Sequence, residues 1–143
     1  MTERAQTNIA VVRRFNQEAL EQGDENALAD ILHPGFINRT ALPGLDTGID
    51  GMRYVIVDVL HKGLSDVCVE ILDQVAEGET VATRKRILGT HTGDFLGVPA
   101  TGRSVEISVF DFVRLRDGKY IEHWGLNTIP QLVRDLKEQG PMS

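Results

Sequence analysis

The sequence predicts an α+β fold in which helices pack on one side of a curved antiparallel sheet. In the first half of the chain, apolar residues recur at helical spacing. After Gly63 the pattern changes, and apolar residues alternate with polar ones as in strands that bury one face. A curved sheet that helices close on one side forms a cone, and the mouth of a cone is a natural pocket for a small molecule.

Three helices are expected in the first half. The first spans residues 7–22, where Val12 and Phe15 lie on the apolar side, and Gly23 ends it. Asp24 is expected to cap the second helix. The third helix spans residues 50–61.

The strands follow, with turn signals between them. After a short strand at Phe36–Asn38, strands are expected around Val67–Ile71 and at three further segments: Thr80–Thr90, Arg103–Leu115 and Tyr120–Leu126. A short C-terminal helix follows from Pro130. The 143 residues suit one domain, 1–143, with a substantial core.

Composition excludes several classes of partner and cofactor. With a net charge of -6 and no basic stripe, the chain is a poor nucleic-acid binder. The single cysteine, Cys68, rules out an internal disulfide framework and is expected to be a buried thiol. No two histidines have metal-ligand spacing, and no glycine-rich phosphate loop occurs, so neither metal nor cofactor is expected. No segment is apolar and long enough to span a bilayer, which favours a cytoplasmic protein without membrane contact.

Asp111 is the residue that most needs an explanation. One face of its strand is apolar except for this carboxylate: Val105, Ile107, Val109, Asp111, Val113, Leu115. An isolated charge there is costly unless it is paired, neutralised or facing a polar cavity. Two interpretations stay open, an ion pair with Arg84, Lys85 or Arg86 on the neighbouring strand, or a general acid/base.

The hairpin at residues 116–119 decides which residue faces Asp111. A two-residue turn would put Trp124 opposite it, whereas a three-residue loop with a glycine bulge would put His123 there. We favour the second register, in which residues 111, 123 and 125 share one face. An Asp–His pair in an apolar pocket is a plausible acid/base unit.

The segment from His91 to Arg103 reads HTGDFLGVPATGR. It resembles a signature of the SnoaL-like polyketide cyclases. Residues 111–114, 117–119 and 122–124 continue the pattern, as do upstream segments at 12–15, 33–38 and 43–48. The resemblance covers nearly the whole chain.

This resemblance implies an α+β cone like that of nuclear transport factor two and ketosteroid isomerase. It also implies a cofactor-free enzyme that closes the last ring of a polyketide methyl ester by an intramolecular aldol reaction. In the founding cyclases the proposed catalytic Asp lies two residues after the His of the last strand, which is Gly125 here. A His of those cyclases falls at Asp111. The catalytic carboxylate is therefore not inherited by position.

The leading hypothesis is thus a polyketide cyclase with Asp111 as base and His123 orienting it or acting as acid. His91 and Asn38 would bind carbonyl or hydroxyl groups, and Trp124 would form a pocket wall. The other expected substrate contacts are Phe15, Val55 and Asn127. The alternatives are a cofactor-independent hydroxylase or another lyase or isomerase, and a non-catalytic ligand-binding or dimerisation module. A homodimer is expected, on the resemblance and on Phe110 and Phe112 at the outer face of the sheet.

Overall fold

The computed structural model describes residues 2–142 and confirms the α+β prediction. Residues 2–142 contain four helices: α1 (Glu3–Arg14), α2 (Glu25–Ile31), α3 (Ile49–Arg53) and α4 (Ile129–Gln139). Two of them continue without a break as π-helix, α1 through Phe15–Glu21 and α3 through Tyr54–His61. The helical stretches therefore cover the three helices expected in the first half of the chain and the one expected at its end.

Five strands form a single sheet in the order β1-β5-β4-β3-β2. Their bounds are β1 (Leu32–Asn38), β2 (Leu64–Glu77), β3 (Thr80–His91), β4 (Ser104–Arg116) and β5 (Lys119–Asn127). β1 pairs with β5 in parallel, and the other neighbours are antiparallel.

Side-chain caps fix the starts of α1 and α2. The Thr2 hydroxyl accepts a hydrogen bond from the Ala5 backbone N–H at 3.1 Å, so α1 begins four residues earlier than expected. Asp24 caps α2 as predicted, accepting from the N–H groups of Asn26 and Ala27. α2 ends at Ile31 and the chain enters β1 directly.

β1 is longer than the predicted strand and includes the His33-Pro34-Gly35 segment. Its two ends pair with β5, Leu32 opposite Tyr120 and Asn38 opposite His123, while the register shifts between them. The proline lies within this irregular part. Pro34 and Gly35, residue types that commonly end a helix, thus lie in the first half of the edge strand.

The core lies between the inner face of the sheet and the helices. The inner face of β4 is buried along its length, as the alternation predicts, and Ile107 is fully enclosed. Cys68, expected to be buried, is exposed, although its thiol lies beside Glu21 at the end of the first helical stretch. The pKa of its thiol is raised by partial desolvation and by the neighbouring Glu21 carboxylate, which disfavours the reactive thiolate.

The outer face of the sheet carries an apolar patch that no helix covers. Its side chains come from β2, β4 and β5, and we call them the outer patch: Val75, Phe110, Phe112, Trp124, Leu126. Phe110 is 60% and Leu126 75% exposed. Ion pairs flank the patch on β2 and β3, including Arg84 with Asp73 at 2.5 Å.

Replacing Ile107 with Ala should lower the free energy of unfolding by about 2–5 kcal/mol, because a fully buried side chain leaves a cavity. The matched control is Ser108→Ala on the same strand, which faces outward and should change stability by less than about 0.5 kcal/mol. Urea unfolding followed by circular dichroism measures both. Equal effects of the two changes would contradict the assignment of the faces.

Candidate active site

A cavity of about 560 Å³ opens beside the inner face of the sheet. Residues of β1, β4, β5, both parts of the third helical stretch, the start of α4 and two loops line it. Most of the lining side chains are apolar: Leu42, Leu45, Met52, Val55, Leu96, Val109, Leu126, Ile129, Pro130, Val133. The polar ones are Asn38, Thr40, Asp46, His123 and Asn127. An apolar cavity with few polar groups suits a small organic ligand that needs orientation rather than charge neutralisation.

Among the described residues that line the cavity, His123 is the only histidine. It is the register partner of Asn38 in the parallel pair β1–β5, so both side chains project from the same face. His123 Nδ1 lies 3.0 Å from Asn38 Oδ1. Two side chains 85 residues apart in sequence are thereby brought into direct contact where they line the cavity.

Burial sets the protonation state of His123. It disfavours the imidazolium and lowers the pKa from 6.5 to about 4. The nearby Asp111 carboxylate raises this pKa and the Lys85 ammonium lowers it, each by less than burial does. At neutral pH the imidazole is therefore uncharged and one ring nitrogen carries a lone pair, which is the form of a general base.

The register of the β4–β5 hairpin differs from the one we favoured. Asp117 and Gly118 form a two-residue turn, with φ of 52° and 73°, between Arg116 and Lys119. Ile121 is then an extra residue on β5, since Tyr120 pairs with Leu115 and Glu122 with Arg114. The expectation that Asp111 faces His123 is wrong.

Asp111 lies opposite Gly125 instead, and His123 lies opposite Val113. The shift from the expected register is two residues, which preserves the side-chain parity. Residues 111, 123 and 125 therefore do share the inner face, as predicted.

Asp111 forms a buried ion pair with Lys85. Lys85 Nζ lies 2.8 Å from Asp111 Oδ2, and both side chains are about 95% buried. The same ammonium donates to Asn16 Oδ1 at 2.6 Å and lies 5.7 Å from the centre of the Phe15 ring. Asp111 Oδ1 has no hydrogen-bond partner among residues 2–142. The structure thus shows the ion-pair alternative, with Lys85 as the partner out of the three candidates.

Gly125 provides the space that the His123 ring occupies. A Cβ at position 125 would lie 2.8 Å from His123 Cε1 and 3.2 Å from Nε2. It would also lie 3.8 Å from the Asp111 Cβ. A side chain at this position would force the imidazole to move, so the glycine and the observed ring orientation depend on each other.

Of the six predicted substrate contacts, three line the cavity and three do not. Asn38, Val55 and Asn127 line the cavity together with His123. Trp124 lies on the outer face, packed edge-on against Phe112 at 5.9 Å.

The remaining two predicted contacts are internal. Phe15 is buried and stacks on Tyr120 at 4.7 Å. His91 is fully buried, and its ring contacts the Thr101 hydroxyl at 2.8 Å and the Val98 carbonyl oxygen at 3.1 Å. His91 therefore holds the loop that connects β3 with β4 and does not line the cavity.

Sequence reasoning missed Lys85 as the particular partner and Thr40 as a cavity residue. A signal for Lys85 exists, because Val81, Thr83, Lys85 and Ile87 alternate on the inner face of β3, whereas Arg84 and Arg86 point outward. Thr40 had no such signal. It lies in a loop, and only the tertiary contact with β5 brings it to the site.

Within residues 2–142, no group of three or more His, Cys, Asp or Glu side chains is arranged to hold a metal ion. No helix in that range is both long and apolar enough to cross a membrane.

Known proteins share both the sequence pattern and the fold. Residues 10–136 match the family model of the SnoaL-like polyketide cyclases. The aklanonic acid methyl ester cyclase DnrD of Streptomyces peucetius is 28% identical over 120 residues, which are 82% of this chain and 81% of that protein.

Solved structures agree in architecture. TsrD from Streptomyces laurentii superposes with a TM-score of 0.81 at 27% identity, covering 95% of this chain and 97% of its own. AclR from Streptomyces galilaeus, a proposed hydroxylase, has a TM-score of 0.80 at 25% identity, covering 93% and 98%. These likenesses confirm the expected nuclear transport factor two-like fold. With the family model matching most of its length, the chain belongs to the SnoaL-like polyketide cyclase family.

Proposed function

We propose that this protein closes a ring in an uncharged polyketide-type ester by an intramolecular aldol reaction, with His123 as the acid/base group. The observation that supports it is a neutral imidazole that lines an apolar cavity of about 560 Å³. The relative DnrD acts on aklanonic acid methyl ester, and we extend that class of substrate to this chain. The cavity holds no Lys or Arg among its described lining residues, which fits an ester better than a free carboxylate.

The chemistry needs one proton to move twice. The imidazole removes a proton from a carbon between two carbonyl groups, and the resulting enolate attacks a ketone of the same molecule. One C–C bond forms, and the ketone oxygen becomes an alkoxide. The imidazolium then returns the proton to that alkoxide, so that neither a cofactor nor a second substrate is consumed.

Asp111 supports His123 in this proposal and does not itself take the proton. Sequence analysis assigns the base to Asp111, but its carboxylate is held by Lys85 and does not line the cavity. Its negative charge favours the imidazolium that forms during the reaction. Asp111 therefore remains part of the catalytic unit, as an electrostatic partner of the base.

Replacing His123 with Gln should lower kcat for ring closure of aklanonic acid methyl ester by about 100-fold or more, because the proton acceptor is lost. Asp111→Asn keeps the shape and should lower kcat less. Ring closure is followed by liquid chromatography and mass spectrometry, with thermal unfolding as the control for folding. A folded Asp111→Asn protein that is inactive, beside an active His123→Gln protein, would return the base to Asp111.

The pH dependence separates the same two roles. Because the pKa of His123 is about 4, kcat/KM should rise through about pH 4 and then stay level to neutral pH. Asp111 raises the pKa of His123, so Asp111→Asn should move this acidic limb to lower pH. An NMR titration of the His123 ring protons should show the same shift. A limb that stays in place, or moves to higher pH, contradicts the assignment.

Oxygen-dependent hydroxylation is the second candidate, since AclR has the same fold and is a proposed hydroxylase. It differs from ring closure in that one oxygen molecule is consumed. We expect no oxygen uptake above background when the ester is converted. Uptake in proportion to product would favour hydroxylation, and tight ester binding without any turnover would favour a ligand-binding module.

The outer patch supports a homodimer. Large apolar side chains are exposed together on one sheet face, Phe110 at 60% and Val75 at 68%. Phe110→Asp should convert the dimer to a monomer, whereas Tyr54→Asp, on the third helical stretch, should not. Sedimentation equilibrium at several concentrations measures both. A monomeric wild-type protein at every concentration would contradict the proposal.

A further inference from the structure

We propose that Asn38 is a positioning residue that fixes the proton of His123 on Nδ1 and so makes Nε2 the nitrogen that exchanges protons with the substrate. This inference rests on the acid/base role proposed for His123, but the tautomer can be measured without any substrate. Three hydrogen bonds meet at Asn38 Oδ1, and Gly125 leaves space beside the imidazole.

The orientation of the Asn38 amide is determined by Thr40. The backbone N–H of Thr40 lies 3.2 Å from Asn38 Oδ1, and the Thr40 hydroxyl lies 3.3 Å from it. A backbone N–H can only donate, so the atom that it faces must be the oxygen. The flipped amide would place an NH₂ group against this donor, which removes the usual ambiguity of an asparagine side chain.

The same oxygen determines the tautomer of His123. Asn38 Oδ1 lies 3.0 Å from His123 Nδ1. Because an amide oxygen only accepts, Nδ1 must carry the proton and donate it. In a neutral imidazole the other nitrogen, Nε2, then holds the lone pair.

The Thr40 hydroxyl connects this arrangement to the strand that carries His123. It accepts a hydrogen bond from the Gly125 backbone N–H at 2.8 Å, so its own proton is directed to Asn38 Oδ1. Every contact in this series therefore has one donor and one acceptor. Gly125 N–H donates to the Thr40 hydroxyl, and the Thr40 hydroxyl and His123 Nδ1–H both donate to Asn38 Oδ1. The series links the loop after β1 to β5 on both sides of the imidazole.

Nε2 is directed towards the gap at Gly125. The ring extends along β5 over this glycine, and a Cβ there would lie 3.2 Å from Nε2. Both His123 and Gly125 line the cavity. Nε2 makes no hydrogen bond to another side chain or backbone group among residues 2–142, whereas Nδ1 is engaged. The nitrogen with the lone pair is thus the one that remains available to a ligand.

The direct test is the long-range ¹H–¹⁵N spectrum of protein labelled with [¹⁵N]histidine, recorded at neutral pH without substrate. The wild type should show His123 protonated at Nδ1, with the resonance assigned by its loss in His123→Gln. Asn38→Leu removes the acceptor and should populate the Nε2–H tautomer. Asn38→Asp keeps an acceptor and should retain the proton at Nδ1. An Nε2–H tautomer in the wild type, or an unchanged tautomer in Asn38→Leu, overturns the proposal.

Kinetics then separate positioning from mere packing. Asn38→Leu should lower kcat by about 10- to 100-fold with little change in KM, and Asn38→Asp should recover much of the loss. A carboxylate at Nδ1–H also favours the imidazolium, so the acidic limb of kcat/KM should move to higher pH in Asn38→Asp. Asp111 and Lys85, the other charges that act on the pKa of His123, are unchanged in this variant. Equal losses in both variants and an unmoved limb would mean that Asn38 acts only through packing.

The two levels of the proposal fail separately. If no ester is cyclised by the wild type but the tautomer responds as expected, the proposed function is wrong and the positioning role of Asn38 stands. If ring closure occurs and depends on His123 while the tautomer does not respond to Asn38, the positioning role is wrong and the function stands.

Discussion

The buried ion pair between Lys85 and Asp111 is the interaction on which the inner face of the sheet depends. Removing two charges from water is costly, and breaking such a pair by deleting one partner typically costs about 3–5 kcal/mol. Here the cost is offset by the 2.8 Å contact, by the amide of Asn16 and by the ring of Phe15. Lys85 and Asp111 lie on β3 and β4, near the centre of the sheet. Because Asn16 and Phe15 belong to the first helical stretch, their contacts with Lys85 join that stretch to the sheet. His123 lies in the field of both charges.

Periodicity was sufficient to predict most of this scaffold. The apolar spacing in the first half marked the helices, and strict alternation marked the inner face of β4 with Asp111 as its one charge. The same alternation, applied to β3, would have selected Lys85, because a charged residue between buried neighbours needs a partner on the adjacent strand. The ion pair was therefore within reach of sequence reasoning.

The strand register and the long-range polar contacts could not be predicted from the sequence. The two-residue turn and the extra residue at Ile121 each move the partner of Asp111 by one position, from His123 to Gly125, and no turn signal in the sequence indicates a bulge inside β5. The contact of Asn38 with His123 depends on a parallel pairing between the first and last strands, which local pattern cannot specify. Trp124 was expected in the pocket because aromatic residues suit pocket walls, yet its strand parity directs it outward.

The π-helical end of the first helical stretch has a consequence for how this chain can change. A π-helix closes its hydrogen bonds one residue farther along than an α-helix, so it behaves as a local insertion that the fold has absorbed. Phe15 and Asn16 lie at its beginning and both contact Lys85. Losing one residue there would restore α-helical winding and rotate the following residues relative to the sheet. Length changes in this helix are thus constrained by a charge on a strand nearly seventy residues away.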